Sequence, residues 1–572
     1  MDIRRTLMSL VQRAGSKLSP PPRALKLAAL VLISLMLYWK LKPPSRPHNV
    51  TDLVLKTSDL RDVAAGAGKP ISTISPGDDH HSPAANGSAG GAQPLSKHVM
   101  NCNPDIRRLR EIRDRYELDD EIEYLKRYVR FTRTPGIERP SYTVLQQSFL
   151  PDNNVEHKNF RVLHLSTSDH HEEAGEKCPS PLEISVPESP FPADVDLSDF
   201  MFAISTTVKR LSDHPTIIQE WAHWLTDGND KSNGGKLLLR LLDASEAERV
   251  DVAQRLADAG IDAEVGAWDS RKEKEMAVRY LNLVPLLFSH ESSPTKKWFV
   301  LCDDDTFFPA INSLVARFKR YDHTKPLYIG TLSEDASAVA THGSQAFGGA
   351  GVFLSRPLAR ILSSVHETCK TRKKIKQSNS GWGAQGDILL RKCIYENTHQ
   401  LDLAGGDASG FYEVGFKPYS VHHFRDSGGG DHLWHTAYPL GTAQIAHTCG
   451  EDCPYQRFVT KDDFVIANGY SVAQYPGGID DDLDLDQVER TFRALLDDKG
   501  WNFDYTFGPQ RPALRGTGKK IAWELRESER GVGDGSVVQA YVRRKDDERW
   551  TTGEGTRMRE RDGVIELVWI PA

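Results

Sequence analysis

The sequence predicts an α/β fold, a mostly parallel sheet flanked by helices, on three observations. Strand-like and helix-like stretches alternate from Phe200 to Phe288, the pattern that closes a parallel sheet under helices. The run Trp298-Phe299-Val300-Leu301-Cys302 is apolar without alternation, as a strand buried on both faces must be. It leads straight into Asp303-Asp304-Asp305, and in an open α/β sheet the ligand lies beyond the carboxyl ends of the strands. Three adjacent carboxylates repel one another unless a cation or several donors compensate them. A divalent metal is the expectation.

The chain has 572 residues, more than one core holds, with 39% apolar residues and 72 basic against 79 acidic side chains, a net charge of −7. That near balance excludes an electrostatic footprint for nucleic acid. At the N-terminus, Leu27 to Trp39 is uncharged between Lys26 and Lys40 and ends in Tyr38-Trp39, a pair suited to a membrane interface. With its flanks, 24–41 is long enough to span a bilayer at the short end of the range. Arg4, Arg5, Arg13, Lys17, Arg23 and Lys26 precede it, so the positive-inside rule places 1–23 in the cytosol and the rest across the membrane. A cleaved signal peptide is the competing reading; the following Lys-Leu-Lys-Pro-Pro lacks the small residues of a cleavage site.

Residues 42–98 are rich in Pro, Ser, Gly and Asp without a sustained period and read as a flexible stem. The stem carries two glycosylation sequons, at Asn49 and Asn86. Residues 104 to 130 place Ile106, Leu109, Ile112, Tyr116, Ile122, Leu125 and Tyr128 at helical spacings, and one solvated helix is expected there. Arg161 to Ser166 reads as a short edge strand.

The ordered α/β pattern begins at Asp199. Phe200 to Thr207 is a strand ending in hydroxyls, followed by a helix face marked by Ile217, Ile218, Trp221, Trp224 and Leu225. Lys236 to Leu242 is the next strand, and its following helix ends at Gly260. Ile261 to Val265 is a weak strand, and Lys272 to Phe288 a helix with a kink at Pro285. The strand ending in the triple Asp comes fourth. A second acidic run, Asp480 to Asp486, precedes Val488, Phe492, Leu495 and Leu496 at helical spacing. Helix capping accounts for it without a metal.

After the triple Asp come Tyr328-Ile329-Gly330, then Phe347-Gly348-Gly349-Ala350-Gly351-Val352-Phe353-Leu354-Ser355, then Gly386-Asp387-Ile388-Leu389-Leu390-Arg391-Lys392-Cys393, and finally Val421-His422-His423-Phe424. In this order the motifs resemble Fringe-like glycosyltransferases, β1,3-transferases of GT-A fold, in their divergent fungal and plant branch. The resemblance covers Asp199 to Phe424. It implies a GT-A type, Rossmann-like catalytic domain at 199–430, which leaves an N-terminal extension at 99–198 and a C-terminal extension at 431–572; strand-like runs at Val537 to Val542 and Val564 to Ile570 read as a small β-rich appendage at its end. It also implies a metal-dependent, inverting transfer from a UDP-sugar to a glycan or glycoprotein.

Each motif then takes a role. A diphosphate must be neutralised to bind and to leave, and a hard cation held by carboxylates does this. Asp303 and Asp305 project to the same side of the turn. By resemblance Asp305 is the firmest metal ligand, Asp303 serves metal and nucleotide, and Asp304, Thr206 and Thr207 serve the nucleotide. His422 is the expected third metal ligand, with His423 as the alternative. A nitrogen beside two carboxylates suits Mn²⁺. Gly348, Gly349, Ala350 and Gly351 form the acceptor-side wall, since glycine lets backbone approach a ligand closely. Asp387 is the general base by resemblance, an ordinary helix cap otherwise. Trp382 is a candidate to stack on a sugar face, a buried core residue otherwise.

A type II Golgi membrane protein with a luminal catalytic domain follows as the expectation, the endoplasmic reticulum and homo-oligomerisation being left open. A tethered carbohydrate-binding protein without turnover is the alternative. Seven cysteines allow three disulfides. Cys449 with Cys453 and Cys369 with Cys393 are the expected pairs, and Cys302, inside the buried strand, the free thiol.

Overall fold

The computed structural model describes residues 100–151, 160–166, 178–331, 342–343, 345–398, 417–422, 424, 438–489, 510–511 and 514–572. The expected cytosolic tail, anchor and stem, with its two sequons, and His423 lie outside them. Among the described residues no helix is long and apolar enough to cross a membrane.

In chain order the strands are β1 (Glu121–Thr134), β2 (Thr143–Val144), β3 (Arg161–His164), β4 (Leu182–Pro187), β5 (Phe200–Thr206), β6 (Lys236–Leu242), β7 (Ala263–Trp268), β8 (Trp298–Leu301), β9 (Tyr328–Ile329), β10 (Val352–Ser355), β11 (Arg457–Val459), β12 (Phe464–Ala467), β13 (Ser471–Gln474), β14 (Val488–Glu489), β15 (Gln510–Arg511), β16 (Ile521–Arg530), β17 (Val537–Arg543) and β18 (Asp562–Pro571). The helices are α1 (Ile106–Tyr116), α2 (Val208–Asp213), α3 (Ile217–Leu225), α4 (Glu246–Asp258), α5 (Met276–Ser289), α6 (Ile311–Phe318), α7 (Arg356–Cys369), α8 (Arg372–Gln377), α9 (Gly386–Asn397), α10 (Pro439–Ala443) and α11 (Ala446–Cys449).

A six-stranded sheet runs β7-β6-β5-β8-β10-β9. Its first four strands are parallel, and β10 lies antiparallel to both β8 and β9. The expected mixed α/β pattern is therefore present, with each crossover supplied by a helix. Apolar side chains fill both faces: Phe202, Ile204 and Val300 pack toward Trp221 and Trp224 on one side, and Met201, Phe299 and Leu301 pack toward Leu281 and Val284 on the other. The β5 and β8 strands carry no polar face because both faces are covered. That burial aims the carboxyl end of β8 at a single cleft.

Three expectations need correction. The helix expected over 104–130 stops at Tyr116, where Glu117 takes a left-handed conformation (φ 52°), and the chain continues as β1. Ile122, Leu125 and Tyr128 meet a helical period by coincidence. Ile122, Tyr124, Val129 and Phe131 are buried in the strand, with Glu123, Lys126 and Arg130 partly exposed among them.

The small C-terminal appendage is instead part of a ten-stranded sheet in the order β2-β11-β12-β13-β16-β17-β18-β1-β3, with β4 added on β1. β1 and β18 pair in parallel from Ile122 opposite Asp562 to Phe131 opposite Pro571. The two extensions are therefore one β structure with a shared core that includes Phe149, Ile466, Trp523 and Trp569.

The second acidic run also differs from expectation. Val488–Glu489 is a strand paired with Gln510–Arg511, not the start of a helix; residues 490–509 lie outside the described residues. Asp480 is held by Lys519, and Asp486 lies 2.8 Å from the buried Arg457. Basic residues of the same chain thus hold both ends of the run. The disulfides are Cys369–Cys393 and Cys449–Cys453, as expected, with Cys102–Cys178 as the third, and Cys302 is free and buried.

Candidate active site

The site begins where β8 ends. Beyond Cys302 the chain turns, and the turn is locked by Thr306: its hydroxyl accepts the Asp303 N–H at 2.9 Å and donates to the Gly349 carbonyl at 2.5 Å. One residue further, Phe307 and Val421 exchange two backbone hydrogen bonds of 2.8 and 2.7 Å. This two-residue bridge sets His422 beside the acidic turn, although 117 positions separate His422 from Asp305.

Asp303, Asp305 and His422 offer ligand atoms that all lie within 4.8 Å of one another. The His422 Nε2 is 3.2 Å from Asp305 Oδ1 and 3.7 Å from Asp303 Oδ2. Atoms bound to a common hard cation at about 2.0 to 2.6 Å are separated by about 3 to 5 Å, so the spacing fits one ion. His423, the alternative ligand, lies outside the described residues.

Asp303 sits in a concavity, surrounded by protein yet with 48% of its side-chain surface open at the mouth. Lost hydration pushes its carboxyl up to about 7; His422 pulls it down, while Asp305, Asp304 and Asp387 add repulsion. A cluster that raises its own carboxylate in this way favours a bound cation over three separate negative charges.

Asp304 faces a different partner. Arg210 grips it as a fork, Nε to Oδ2 at 2.6 Å and Nη2 to Oδ1 at 2.5 Å, and the Thr206 hydroxyl donates to the same carboxylate. Thr207 is occupied as well: it caps α2, its hydroxyl accepting the Arg210 N–H at 3.1 Å. The three residues expected to serve the nucleotide thus have partners within the chain, where their polar atoms hold α2 and Arg210 in place. A bidentate pair of this kind fixes direction as well as charge. The residue it presents, half-buried Arg210, is one that sequence reasoning missed.

The glycine turn separates the metal ligands from Asp387. A Cβ on Gly349 would lie 2.0 Å from the His422 ring, so only glycine lets the imidazole reach its place. On the other side the Gly348 N–H donates to Asp387 Oδ2 at 3.2 Å. Ala350 is buried beside them, and Gly351 takes the left-handed region at φ 95°. The turn expected to wall the acceptor thus touches both His422 and Asp387.

Asp387 lies in the first turn of α9. Burial raises its carboxyl above the usual range, and the N–H groups of Gly348 and Ile388 oppose the shift. A carboxylate raised in this way is the better proton acceptor near neutral pH. Trp382 is not in the core: it is 89% exposed, on a loop closed by Asn379, whose Oδ1 accepts the N–H groups of Gly381 and Gly383 at 2.8 and 3.2 Å.

Tyr280, on α5, was also missed. Its hydroxyl is buried without a hydrogen-bond partner among the described residues, and a Cβ on Gly348 would stand 3.1 Å from it. Burial lifts this phenol well above its ordinary value, with Asp303 and Asp387 adding to the effect. In the sequence it is one more aromatic residue on an apolar helix face.

Residues 268–402 match the family model Fringe, described as Fringe-like. No curated protein matches the chain. Among solved structures, mouse xyloside xylosyltransferase 1 in its apo form is 15% identical, over 36% of this chain and 85% of that one, with a TM-score of 0.23. The mannosyltransferase PcManGT from Pyrobaculum calidifontis, in complex with GDP-Man and Mn²⁺, is 12% identical over 46% and 66%, with a TM-score of 0.25. The galactosyltransferase LgtC, in complex with donor and acceptor sugar analogues, is 10% identical over 41% and 90%, with a TM-score of 0.28. With overlaps this low, the fold rests on the strand order, and the family model bears on residues 268–402.

Proposed function

We propose that this chain, a Fringe-like glycosyltransferase, moves a sugar from a UDP-sugar to a glycan or glycoprotein hydroxyl with inversion, using a GT-A type six-stranded domain. The observation that carries this reading is the glycine turn, which holds a three-ligand cluster against one face and a single raised carboxylate against the other. Asp303, Asp305 and His422 would hold a divalent ion, Mn²⁺ by their mixed oxygen and nitrogen donors. When bound, that ion neutralises the diphosphate of the donor and of the departing UDP.

The chain's own residues do the rest. Asp387 accepts the proton of the acceptor hydroxyl as that oxygen attacks the anomeric carbon from the face opposite the leaving group. Arg210 adds positive charge near the three aspartates, and Asp304 keeps it there. Trp382 offers an exposed ring to a sugar face beside the base. The family resemblance supports a β1,3 linkage, and the apolar segment at 24–41, uncharged from Leu27 to Trp39, supports a type II Golgi membrane protein with this site in the lumen.

The test is UDP release from a panel of UDP-sugars with Mn²⁺ and a panel of acceptors. The unaltered protein should turn over at least one pair, and Asp305→Ala and Asp387→Asn should each abolish most of it. Turnover that survives both changes would remove this site from the reaction. UDP release that does not depend on an acceptor would make the protein a hydrolase.

A further inference from the structure

None of the residues around a second cavity, on the ten-stranded sheet, belongs to the cleft described above. The cavity measures about 330 Å³, inside the range of about 300 to 1,000 Å³ of small-ligand sites. It opens where the pairing of β16 with β17 slips between Leu525 and Glu527. Such a bulge re-aims side chains that a regular strand would alternate between faces. Here Arg526, Glu527, Ser528 and Glu529 all line the cavity, opposite Arg115, Tyr116 and Tyr438.

The lining specifies the ligand by its charge balance. Among the described residues two arginines, Arg115 and Arg526, face two glutamates, and each charge already has a partner: Arg115 donates to Glu527, Arg526 lies 2.9 Å from Glu524, and Arg108, outside the lining, lies 3.3 Å from Glu529. An anion or a cation would have to break one of those pairs; a neutral ligand would not. Ser528 supplies the second observation. Its residue is 7% exposed, and its Oγ is buried with no hydrogen-bond partner among the described residues, a condition that costs about 1 to 3 kcal/mol. A turn about χ1 would bring this Oγ into the cavity, where a ligand hydroxyl would satisfy it. Two tyrosine rings border the same space, and that of Tyr116 is fixed by its hydroxyl, which donates to the Arg526 carbonyl at 3.1 Å. Ring faces for C–H groups, guanidinium and carboxylate edges for hydroxyls, and no net charge together match one chemistry.

We propose that this cavity binds a neutral sugar residue of a glycan, as a second carbohydrate site separate from the transfer cleft. It does not depend on the transfer mechanism, so the two can fail separately. The experiment uses the full-length protein in a detergent without sugar headgroups, with EDTA and no nucleotide-sugar. Methyl β-D-glucoside, methyl β-D-galactoside and methyl α-D-mannoside are the probes, titrated by saturation-transfer NMR.

At least one probe should bind with a Kd on the order of 1 mM. Asp305→Ala and Asp387→Asn should leave that Kd within about twofold, whereas Arg526→Ala and Ser528→Leu should each weaken it by about fivefold or more. Should Ser528→Leu fail to fold, Arg526→Ala decides, because its side chain stands at the partly exposed rim. The proposal falls if no probe binds at concentrations of about 50 mM, or if binding follows Asp387→Asn and ignores Arg526→Ala.

Discussion

The six-stranded and the ten-stranded sheet differ in how far along the chain each strand finds its partner. In the first, β5 pairs with β6 and β8, all between residues 200 and 301, with helices as the crossovers. In the second, β1 at 121–134 pairs with β18 at 562–571. The candidate site sits on the local sheet, and the non-local one joins strands more than 400 residues apart. A change in the cleft should therefore remove activity without unfolding the protein, and a change in the ten-stranded core should do the reverse.

The largest expected effect tests the first half of that contrast. Asp387→Asn keeps the shape of the residue and removes the proton acceptor, so kcat should fall by about 10² to 10⁴. The thermal midpoint should hold, because Asn can still accept the Gly348 N–H. A matching loss of stability would mean that Asp387 is a structural cap.

The second half is tested at Trp569, which is fully buried on β18 and donates from Nε1 to Gln539 Oε1 at 2.6 Å. Trp569→Ala should cost about 3 to 5 kcal/mol, measured by urea unfolding. Turnover per folded molecule should stay close to that of the parent. A specific loss of kcat would show that the two sheets share more than a chain.

Gly349→Ala probes the point at which the glycine turn meets the metal ligands. The added methyl would overlap the His422 ring and push the imidazole off its place. Shifting a ligand by its neighbour costs about 10- to 100-fold in metal affinity, to be read from Mn²⁺ titration. An unchanged affinity would place the third ligand elsewhere.

The same contrast explains what could be read from the sequence. Local periodicity suffices for βαβ units, so Lys236 to Leu242 stands in the structure with the bounds expected of it, and Asp303, Asp305 and His422 meet as the motif order implied. Periodicity cannot say which distant strand pairs with which, and that hid the β1–β18 pairing. It also misled at Ile122 to Tyr128, where a strand meets a helical spacing. Tyr280 and Arg210 stayed out of sight for another reason: their importance lies in what they touch, Gly348 and Asp304, and neither neighbour is near in sequence.

The smallest expected effect lies where the two regions meet. His223 on α3 is buried and His447 on α11 half-buried beside it, Nδ1 to Nε2 at 3.2 Å. Burial depresses His223 to about 4, against a contact with the Pro309 backbone, and Arg530 adds to the depression. Burial likewise depresses His447 to about 2, with His223 and Arg530 contributing. Both rings are neutral in the folded protein and take up protons on unfolding below their ordinary value of about 6.5. The stability they contribute is therefore whole above that pH and is lost as pH falls, through about 4 for His223 and further for His447. Urea midpoints measured from pH 7.5 to 4.5 should decline, and His447→Gln should make the decline shallower by removing one of the two protons. An equal decline in that variant would show that His447 is not held as a neutral ring, and that the junction of the two sheets is open to water.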